Sequence, residues 1–573
     1  MQKDCSQCQK QFEIGEDEIK FLDKISPVFG GKKYQIPSPA NCPSCRAQQR
    51  LAHRNERKLF SRKCALCNTT MVSIFHPSSK SKAYCISCYY GGKWDACDYG
   101  RDFDFSRPFF DQFSDLLADV PQLGLYADFA ENADYINMTG YAKNCYLLFA
   151  SEYDEDVYYA DNTIKCNDCM DTSQTFNSQL VYDSVDIEQC YNVFYSQNCK
   201  NCRDSLFLYE CIGCEDCLFS ANLRQKKYHI RNKPYSKEEY LREKAKILEE
   251  VSSYEGLQKK KKEFAEYVRE QIHRANIIVN SQDSTGNNLV NTKNCRECFN
   301  VTGSEDCKYV WDGFNVKDIM DVNNTTEIEL GYDSTSIGYK SYNILFMCSA
   351  WNGTSNAMYS MTTKASKNVF GCANLQGKSY CVLNKKYSKE DYEKLVPRII
   401  EHMVKTGEWG KFFPPSLSQF PYADTMANIY FPLTKEQAVK AGFNWADPVA
   451  QAQDVKTLKV AELPEKTADA KEDILDCAIE CEVSGRPFRI IKPELEFYRK
   501  NNVPLPRRHP DQRYLDRFAL RNPRQLWDRE CAKCGTAIKT TYAPNRPATQ
   551  LSGGLRSGGE IVYCETCYLK EVY

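Results

Sequence analysis

VYYADNTIKCNDCMDTSQTFNSQLVYDSVDIEQCYNVFYSQNCKNCRDSLFLYECIGCEDCL, residues 157–218, restates one short pattern. Strand-like cores begin at YLLFA (146), VYYAD (157), CMDTS (169), VYDSV (181), YNVFY (191), CRDSL (202) and CEDCL (214), at steps of 10 to 12 residues. Asn, Asp, Gly and Ser fill the gaps, as turns require. A strand of roughly five residues plus a turn takes about this length. Stacked parallel coils of such strands make a β-solenoid. An antiparallel meander or sandwich gives similar spacing. Side-chain types recur in register (CMDT, VYDS, CRDS, CEDC), which favours the solenoid.

A second array has cores starting at Phe299, Tyr309, Ile319, Leu330, Ile344, Met358, Val369 and Tyr380. The two arrays end alike. ANLRQKKYHIRNKPYSKEEY (221–240) matches ANLQGKSYCVLNKKYSKEDY (373–392) at 12 of 20 positions, so the middle of the chain is a duplication. Each copy passes from strands through an Asn-Lys turn into a helix with a capping box, Ser236 with Glu239 and Ser388 with Asp391. A helical stretch over 237–275, interrupted near Ser252–Gly256, reads as a hairpin or one kinked helix. Its Lys259–Lys262 run reads as a solvated face.

Outside the arrays, cysteines come as CxxC pairs. Residues 1–90 hold Cys5/Cys8, Cys42/Cys45, Cys64/Cys67 and Cys85/Cys88, and the C-terminus holds Cys531/Cys534 and Cys564/Cys567. Two such knuckles close a tetrahedral Zn²⁺ site. Three structural zinc sites are expected, each with four thiolates and no open position for a catalytic water. The spacer of the last site contains LSGGLRSGG (551–559), read as a flexible hairpin insert. A redox CxxC needs no second pair, so repeated pairing favours metal.

The two ends resemble each other. CPSCRAQQRLAHRNERKLFSRKCALC (42–67) aligns with HPDQRYLDRFALRNPRQLWDRECAKC (509–534), and CSQCQKQFEI (5–14) with CEVSGRPFRI (481–490). In the C-terminal copy Ser484, His509 and Gln512 stand where Cys8, Cys42 and Cys45 stand in the first. Cys481 and His509, even with Cys477 nearby, make an incomplete ligand set, so an emptied site is expected there.

Arg46, Arg50 and Arg54 fall on one helical face, extended by Arg57 and Lys58; Arg513, Arg517, Arg521 and Arg524 repeat the ridge. Such a ridge beside a zinc ribbon suits a nucleic-acid backbone. The alternative is a helix whose arginines pair with neighbouring carboxylates or pack over aromatic rings. Cys166/Cys169, Cys199/Cys202, Cys211/Cys214 with Cys217, and Cys295/Cys298 read as an inward ladder of small buried thiols rather than further metal sites. Residues 141–224 carry 14 Asp/Glu against five Lys/Arg, so nucleic acid is expected to avoid the first array. Its repeated Asp171, Asp183, Asp204 and Asp216 read as solvated residues rather than Ca²⁺ or saccharide ligands. GRDFDFSRPFFDQF (100–113) reads as a junction packing the ribbons onto the strand arrays, through Phe103, Phe105, Phe109 and Phe110.

Whole-chain arithmetic bounds the function. Lys plus Arg is 75 and Asp plus Glu 76, so no globally basic nucleic-acid coat is present. No apolar run is long enough to cross a membrane, and MQKDCSQCQKQFEI lacks a secretory h-region, so a reducing, cytoplasmic setting is expected. There, 30 cysteines favour metal over disulfides. No P-loop, HExxH, GxSxG or kinase signature occurs, and no catalytic residue is assigned.

CPSCRAQQRLAHRNERKLF, GRDFDFSRPFF, NKPYSKEEY, CEVSGRPFRIIKPELEFYRKNNVPLPRRHPDQR and IVYCETCYLKEVY resemble a zinc-ribbon protein family common in candidate phyla radiation (Patescibacteria-type) bacteria. The resemblance spans nearly the whole chain. It implies a cytoplasmic bacterial zinc protein and assigns no activity.

The expected fold class is multidomain and mainly β: duplicated β-solenoid-like repeat arrays with inserted helices, flanked by N- and C-terminal zinc-ribbon modules. The expected order is tandem ribbons (1–95), aromatic junction (96–140), first array (141–235), helical hairpin (236–280), second array (281–387), helix and Pro/aromatic segment (388–445), linker (446–475), and degenerate plus intact ribbon (476–573). The leading expectation is a zinc-binding scaffold contacting RNA or DNA backbone through the arginine ridges. The rival is a protein-interaction scaffold without nucleic acid. A third reading, a carbohydrate-active solenoid enzyme, is disfavoured by six histidines and no export signal.

Overall fold

The computed structural model describes residues 1–449, 455–544 and 559–573. It is mainly β and divides into two compact units, neither contiguous in sequence. One unit combines 1–126 with 276–449, the other 127–275 with 450–573. Each unit therefore joins one terminal module to the array lying farther along the chain from it.

In the first array each coil takes 12 residues. Val157 pairs with Cys169, Met170 with Tyr182 and Val181 with Val193, all in parallel. The second array keeps the same step, Ile319 pairing with Gly331 and Phe299 with Trp311. This parallel register excludes the antiparallel meander.

The finer period was not apparent from the strand cores. Every third residue stands in the left-handed region: Asp156, Tyr159, Asn162, Lys165, Asp168 and Asp171 have φ between 51° and 56°. Each such residue turns the chain through a corner, so a coil has four corners joined by very short sides. Asn and Asp enter this region at the least cost among non-glycine residues, which accounts for their density here. Two four-residue steps, Ser336 to Lys340 and Asn352 to Asn356, interrupt the period in the second array. They account for the offset between copies growing from 150 (Asp171 to Asp321) to 152 (Asn232 to Asn384).

The residue two before each corner points inward. Val157, Ala160, Thr163, Cys166 and Cys169 are all buried. The amide hydrogens of many inward residues find acceptors on the side chain one coil earlier. Cys190 N donates to Ser178 Oγ (3.1 Å), Leu208 N to Ser196 Oγ (3.0 Å) and Cys202 N to Cys190 Sγ (3.3 Å). The same side chains donate back to carbonyls two residues earlier, Ser178 Oγ to Phe176 O (2.8 Å), Ser196 Oγ to Phe194 O (2.9 Å) and Cys190 Sγ to Glu188 O (3.3 Å). A narrow bore needs small groups that accept and donate at once, and Ser, Thr and Cys meet that need. At Gly331 the bore is crowded: a Cβ there would lie 2.7 Å from Ile328 Cδ1, so a larger residue would have to displace that side chain.

The duplicated end motif closes the coils. Asn232 accepts from Ala221 N through Oδ1 and donates to Ala221 O through Nδ2, both at 2.9 Å. Asn384 does the same to Ala373, at 2.8 and 2.9 Å. One amide side chain thus replaces the backbone of a missing further coil. The chain then reverses through Arg231-Asn232 and Leu383-Asn384, all at positive φ, as a tight hairpin requires. Helices Lys237–Val251 and Lys389–Lys405 follow, capped by Ser236 and Ser388. Helix Tyr254–Arg269 completes the helical hairpin.

The expected linker at 446–475 needs correction over its described part. Leu463, Ala470 and Ile474 are buried in the same apolar cluster as Phe497 and Tyr498. Small apolar residues at intervals suffice to pack this stretch without an aromatic ring. Residues 450–454 lie outside the described residues, as does the expected hairpin insert apart from Gly559.

The bore of the first array also holds a carboxylic acid, Asp154. Burial pushes the Asp154 carboxyl up to about 7, against opposing hydrogen bonds from Thr163 Oγ1 (2.5 Å) and Cys166 N (2.8 Å). The folded chain therefore holds this proton more tightly than the unfolded chain, whose ordinary value is 3.8. Stability from this group is fully present below about 4 and is lost as pH rises towards about 7, by on the order of 4 kcal/mol. Thermal melts of wild type should show this fall, and Asp154→Asn should flatten it. Parallel profiles for the two proteins would refute the assignment.

Candidate metal centres and the seats of the arginine helices

Each knuckle forms from a tight backbone turn. Cys5 N donates to Lys10 O and Gln9 N to Cys5 O, both at 2.9 Å. Cys64 with Thr69 and Asn68, and Cys531 with Thr536 and Gly535, repeat the turn at the same distances. The second knuckle of each site starts a helix, Pro43–Leu51 at Cys42, Ile86–Tyr90 at Cys85 and Glu565–Val572 at Cys564.

These turns gather all twelve expected ligands into three groups: Cys5, Cys8, Cys42 and Cys45; Cys64, Cys67, Cys85 and Cys88; and Cys531, Cys534, Cys564 and Cys567. Within each group the sulfurs lie within 4.8 Å of one another, close enough to hold a metal ion. Facing sulfurs stand 3.8 Å apart for Cys8 and Cys42, 3.9 Å for Cys67 and Cys85, and 3.8 Å for Cys534 and Cys564. A tetrahedron with metal–sulfur bonds of about 2.3 Å has edges of about 3.8 Å, so the donor set fits. Backbone amides support thiolate character: Cys42 N donates to Cys5 Sγ (3.2 Å), Cys85 N to Cys64 Sγ (3.3 Å) and Cys564 N to Cys531 Sγ (3.2 Å). Hydrogen bonds from the Thr69 side chain and backbone bring the Cys67 thiol down to about 6.

The turn at Cys481, in the degenerate copy, keeps the fold of the other first knuckles. Cys481 N donates to Arg486 O and Gly485 N to Cys481 O, while Glu482 N reaches Arg507 O as Ser6 N reaches Ala40 O. Ion pairs tie its two halves together. Arg486 bonds Asp511 at 2.8 Å, and Arg508 bonds Glu482 at 2.6 Å and Asp516 at 2.8 Å. His509 caps helix Pro510–Ala519 by accepting from Asp511 N.

The arginine ridge does not form the outer face expected of it. Arg46, Arg50, Arg54, Arg513 and Arg517 are buried, and Arg50 is 0% exposed. Arg46 Nε donates to Asp321 Oδ2 (2.9 Å); Arg50 bonds Asp333 (2.6 Å), Asn323 (2.6 Å) and Asp321 (3.4 Å). Arg54 pairs with Glu56. In the other unit Arg513 bonds Asp171 (2.5 Å) and Glu494 (3.3 Å), while Arg517 bonds Asp171 (2.8 Å) and Tyr159 O (3.0 Å). Arg57, Lys58, Arg521 and Arg524 are partly buried, and Arg521 lies 4.0 Å from Asp186. The helices pack on the coils, so the guanidinium groups of Arg46, Arg50, Arg513 and Arg517 face inward onto carboxylates.

The seats correspond between units. Asp321 and Asp171 are both left-handed corner residues that project from their coils. Arg46 lies over the Tyr309 ring (5.5 Å) and Arg513 over the Tyr159 ring (4.3 Å). Glu494 accepts from Tyr159 (2.6 Å) and Tyr498 (2.8 Å), and Glu18 accepts from Tyr309 (3.4 Å). Burial pushes the Asp333 carboxyl up to about 6, against the pull of Arg50. Asp183 pairs with Lys261, and Asp204 and Asp216 accept from Asn192 (2.8 Å) and Lys244 (3.2 Å). These acids therefore hold helices and neighbouring coils rather than standing in solvent. The residues missed from sequence are Asp321, Asp333, Asn323, Glu18 and Glu494. The matching MD pairs in CMDTS (169–173) and IMDVN (319–323) were the available signal.

Of the expected junction residues, Phe103, Phe109 and Phe110 pack into an apolar cluster, whereas Phe105 is 38% exposed. Phe109 and Phe113 are buried among Tyr359, Phe370 and Phe413, so this segment seats on the second array. The repeat cysteines line the bores in two clusters separate from the three tetra-cysteine groups.

Comparison with protein-family models and with curated proteins finds no match. Among solved structures, a putative acetyltransferase from Desulfovibrio desulfuricans G20 aligns over 56% of this chain and 89% of its own, at 10% identity and a TM-score of 0.11.

Removing one partner of a buried ion pair strands the other charge, at a cost of about 3–5 kcal/mol. Asp171→Ala strands two arginines and should destabilise its unit by at least that range. Chemical denaturation, followed by a probe in the 127–275 unit, measures it. A loss below about 1 kcal/mol would show that the seat is solvated.

Proposed function

We propose that the chain is an interaction scaffold, built from two β-solenoids that are each stiffened by a docked ribbon module. The observation that carries this reading is the burial of both arginine helices on solenoid aspartates. Their charge is spent inside the protein, which removes the main argument for a nucleic-acid backbone as partner. Unlike a recognition ridge, the paired guanidinium and carboxylate groups fix each module in one place and one orientation. What remains outside is a long regular wall suited to a protein partner.

In this reading the three tetrathiolate groups hold zinc. Thiolate sulfur in a closed tetrahedral set favours Zn²⁺ over harder cations, and such a set serves folding rather than catalysis. Zinc also positions a docking surface. Helix Pro43–Leu51 begins at ligand Cys42, contains ligand Cys45 and carries Arg46 and Arg50. The corresponding helix Pro510–Ala519 is tied by Arg486–Asp511 where the first has thiolates.

Two measurements test this. Elemental analysis of purified protein should give three zinc equivalents, and Cys8→Ser should remove one. Hydrogen exchange after chelation should rise over 43–51 and stay low over 510–519; equal release of both helices would refute the metal's role in docking. The scaffold reading itself expects a protein partner that survives nuclease treatment. Tight retention of RNA or DNA, weakening steeply with salt, would overturn it in favour of a nucleic-acid carrier.

A further inference from the structure

The first coil of the first array ends in an open edge. In later coils each corner residue donates its N–H to the coil before, as Asn144 N does to Glu131 O (3.0 Å) and Asp156 N to Lys143 O (3.0 Å). Carbonyls of inward residues accept from the same side, as Ala142 O does from Glu131 N (2.9 Å) and Cys145 O from Asp134 N (3.0 Å). By this rule Phe129 N, Asn132 N and Tyr135 N, with Ala130 O and Ala133 O, face a coil that would precede them. Among the described residues no backbone group pairs with these five.

The side chains along this edge follow the coil period. Residues 127–135 read Ala-Asp-Phe, Ala-Glu-Asn, Ala-Asp-Tyr. Asp128, Glu131 and Asp134 are exposed, so each open N–H follows directly on an acidic residue. Phe129, 75% exposed, ends a column of stacked rings, with Tyr141 4.9 Å from it and Tyr153 4.7 Å farther along. One coil later the acid column alternates in sign: Lys143 pairs with Glu155 at 2.8 Å. A coil preceding Glu131 would continue that alternation with a basic residue.

We propose that the edge Ala127–Tyr135 is a strand-addition site for an extended basic peptide of a partner protein. Such a peptide would carry Lys or Arg at every third residue and an aromatic ring to cover Phe129. Main-chain hydrogen bonds supply affinity, as in other strand-addition complexes, and the acids and the ring set register. A second copy of this chain is a poor occupant, because joining two such edges opposes acid to acid. Unprotected edges also invite uncontrolled pairing, and the acidic row restricts this one to cationic strands. The proposal rests on the scaffold reading and adds where the partner seats and what chemistry it has.

The test uses the full-length, metal-loaded protein and fluorescein-labelled peptides made of Ala-Lys-Tyr triplets. Controls are a scramble of the same composition and an Ala-Glu-Tyr analogue. Anisotropy should show the ordered basic peptide binding at least about tenfold more tightly than the scramble, and the acidic analogue not binding. Phe129→Ala and the triple change Asp128→Asn, Glu131→Gln, Asp134→Asn should each lose about tenfold or more. Hydrogen exchange over 127–138 should slow on binding, which attraction to the acids alone would not produce. Equal binding of ordered and scrambled peptides, absence of binding, or concentration-dependent dimerisation abolished by Phe129→Ala would each overturn the proposal. If a nuclease-resistant partner still binds the Phe129→Ala protein at wild-type strength, this edge assignment fails while the scaffold reading stands.

Discussion

Two arginines on one short helix, held by aspartates at the corners of a coil, organise each unit. Arg46 and Arg50 meet Asp321 and Asp333; Arg513 and Arg517 meet Asp171. Burying these charges costs several kcal/mol per ion unless the geometry recovers it. Charge-assisted hydrogen bonds to more than one acceptor, neighbouring amide and hydroxyl groups and a tyrosine ring under one arginine provide that recovery. A buried pair of this kind adds little net stability but penalises every wrong docking heavily. The modules are thereby assigned to particular coils rather than to any apolar wall.

The coil is what makes those aspartates available. A corner every third residue turns the backbone so sharply that its side chain projects from the coil. Asn and Asp suit the corner conformation, so the residues cheapest for the backbone are also able to receive an arginine or a lysine. The bore follows the complementary rule, with Ser, Thr and Cys serving amides that the ladder leaves unpaired. Conformation, satisfaction of buried polar groups and docking thus draw on different positions of one triplet.

Much of this was legible in the sequence. CxxC spacing located the twelve thiols that gather into three groups able to hold a metal ion, because a knuckle is a local turn and needs no knowledge of distant residues. The duplicated ANL and Asn-Lys motifs located the coil ends for the same reason. The arginine ridge was read correctly as a helix face and wrongly as an outer one. A helical pattern fixes which residues share a face; it does not say what that face meets 275 residues away at Asp321. The triplet period was hidden because its corners are marked by Asn or Asp at many positions but by Tyr159, Lys165 or Phe207 at others. The low aromatic content of 455–475 concealed packing that rests on Leu463, Ala470 and Ile474.

The interleaved pairing of modules and arrays sets a timetable for biosynthesis. Arg50 leaves the ribosome 283 residues ahead of Asp333. At roughly 5–20 residues per second, that gap lasts on the order of 15–55 seconds. Throughout it the N-terminal module must persist without its seat, while the first array emerges with an acidic wall of its own. A four-thiol group completed within the first 45 residues, close enough to hold a metal ion, gives the nascent module a local fold to wait in. The C-terminal module emerges after its array is complete and has no such wait, and it is the copy whose first knuckle carries ion pairs in place of the full thiol set.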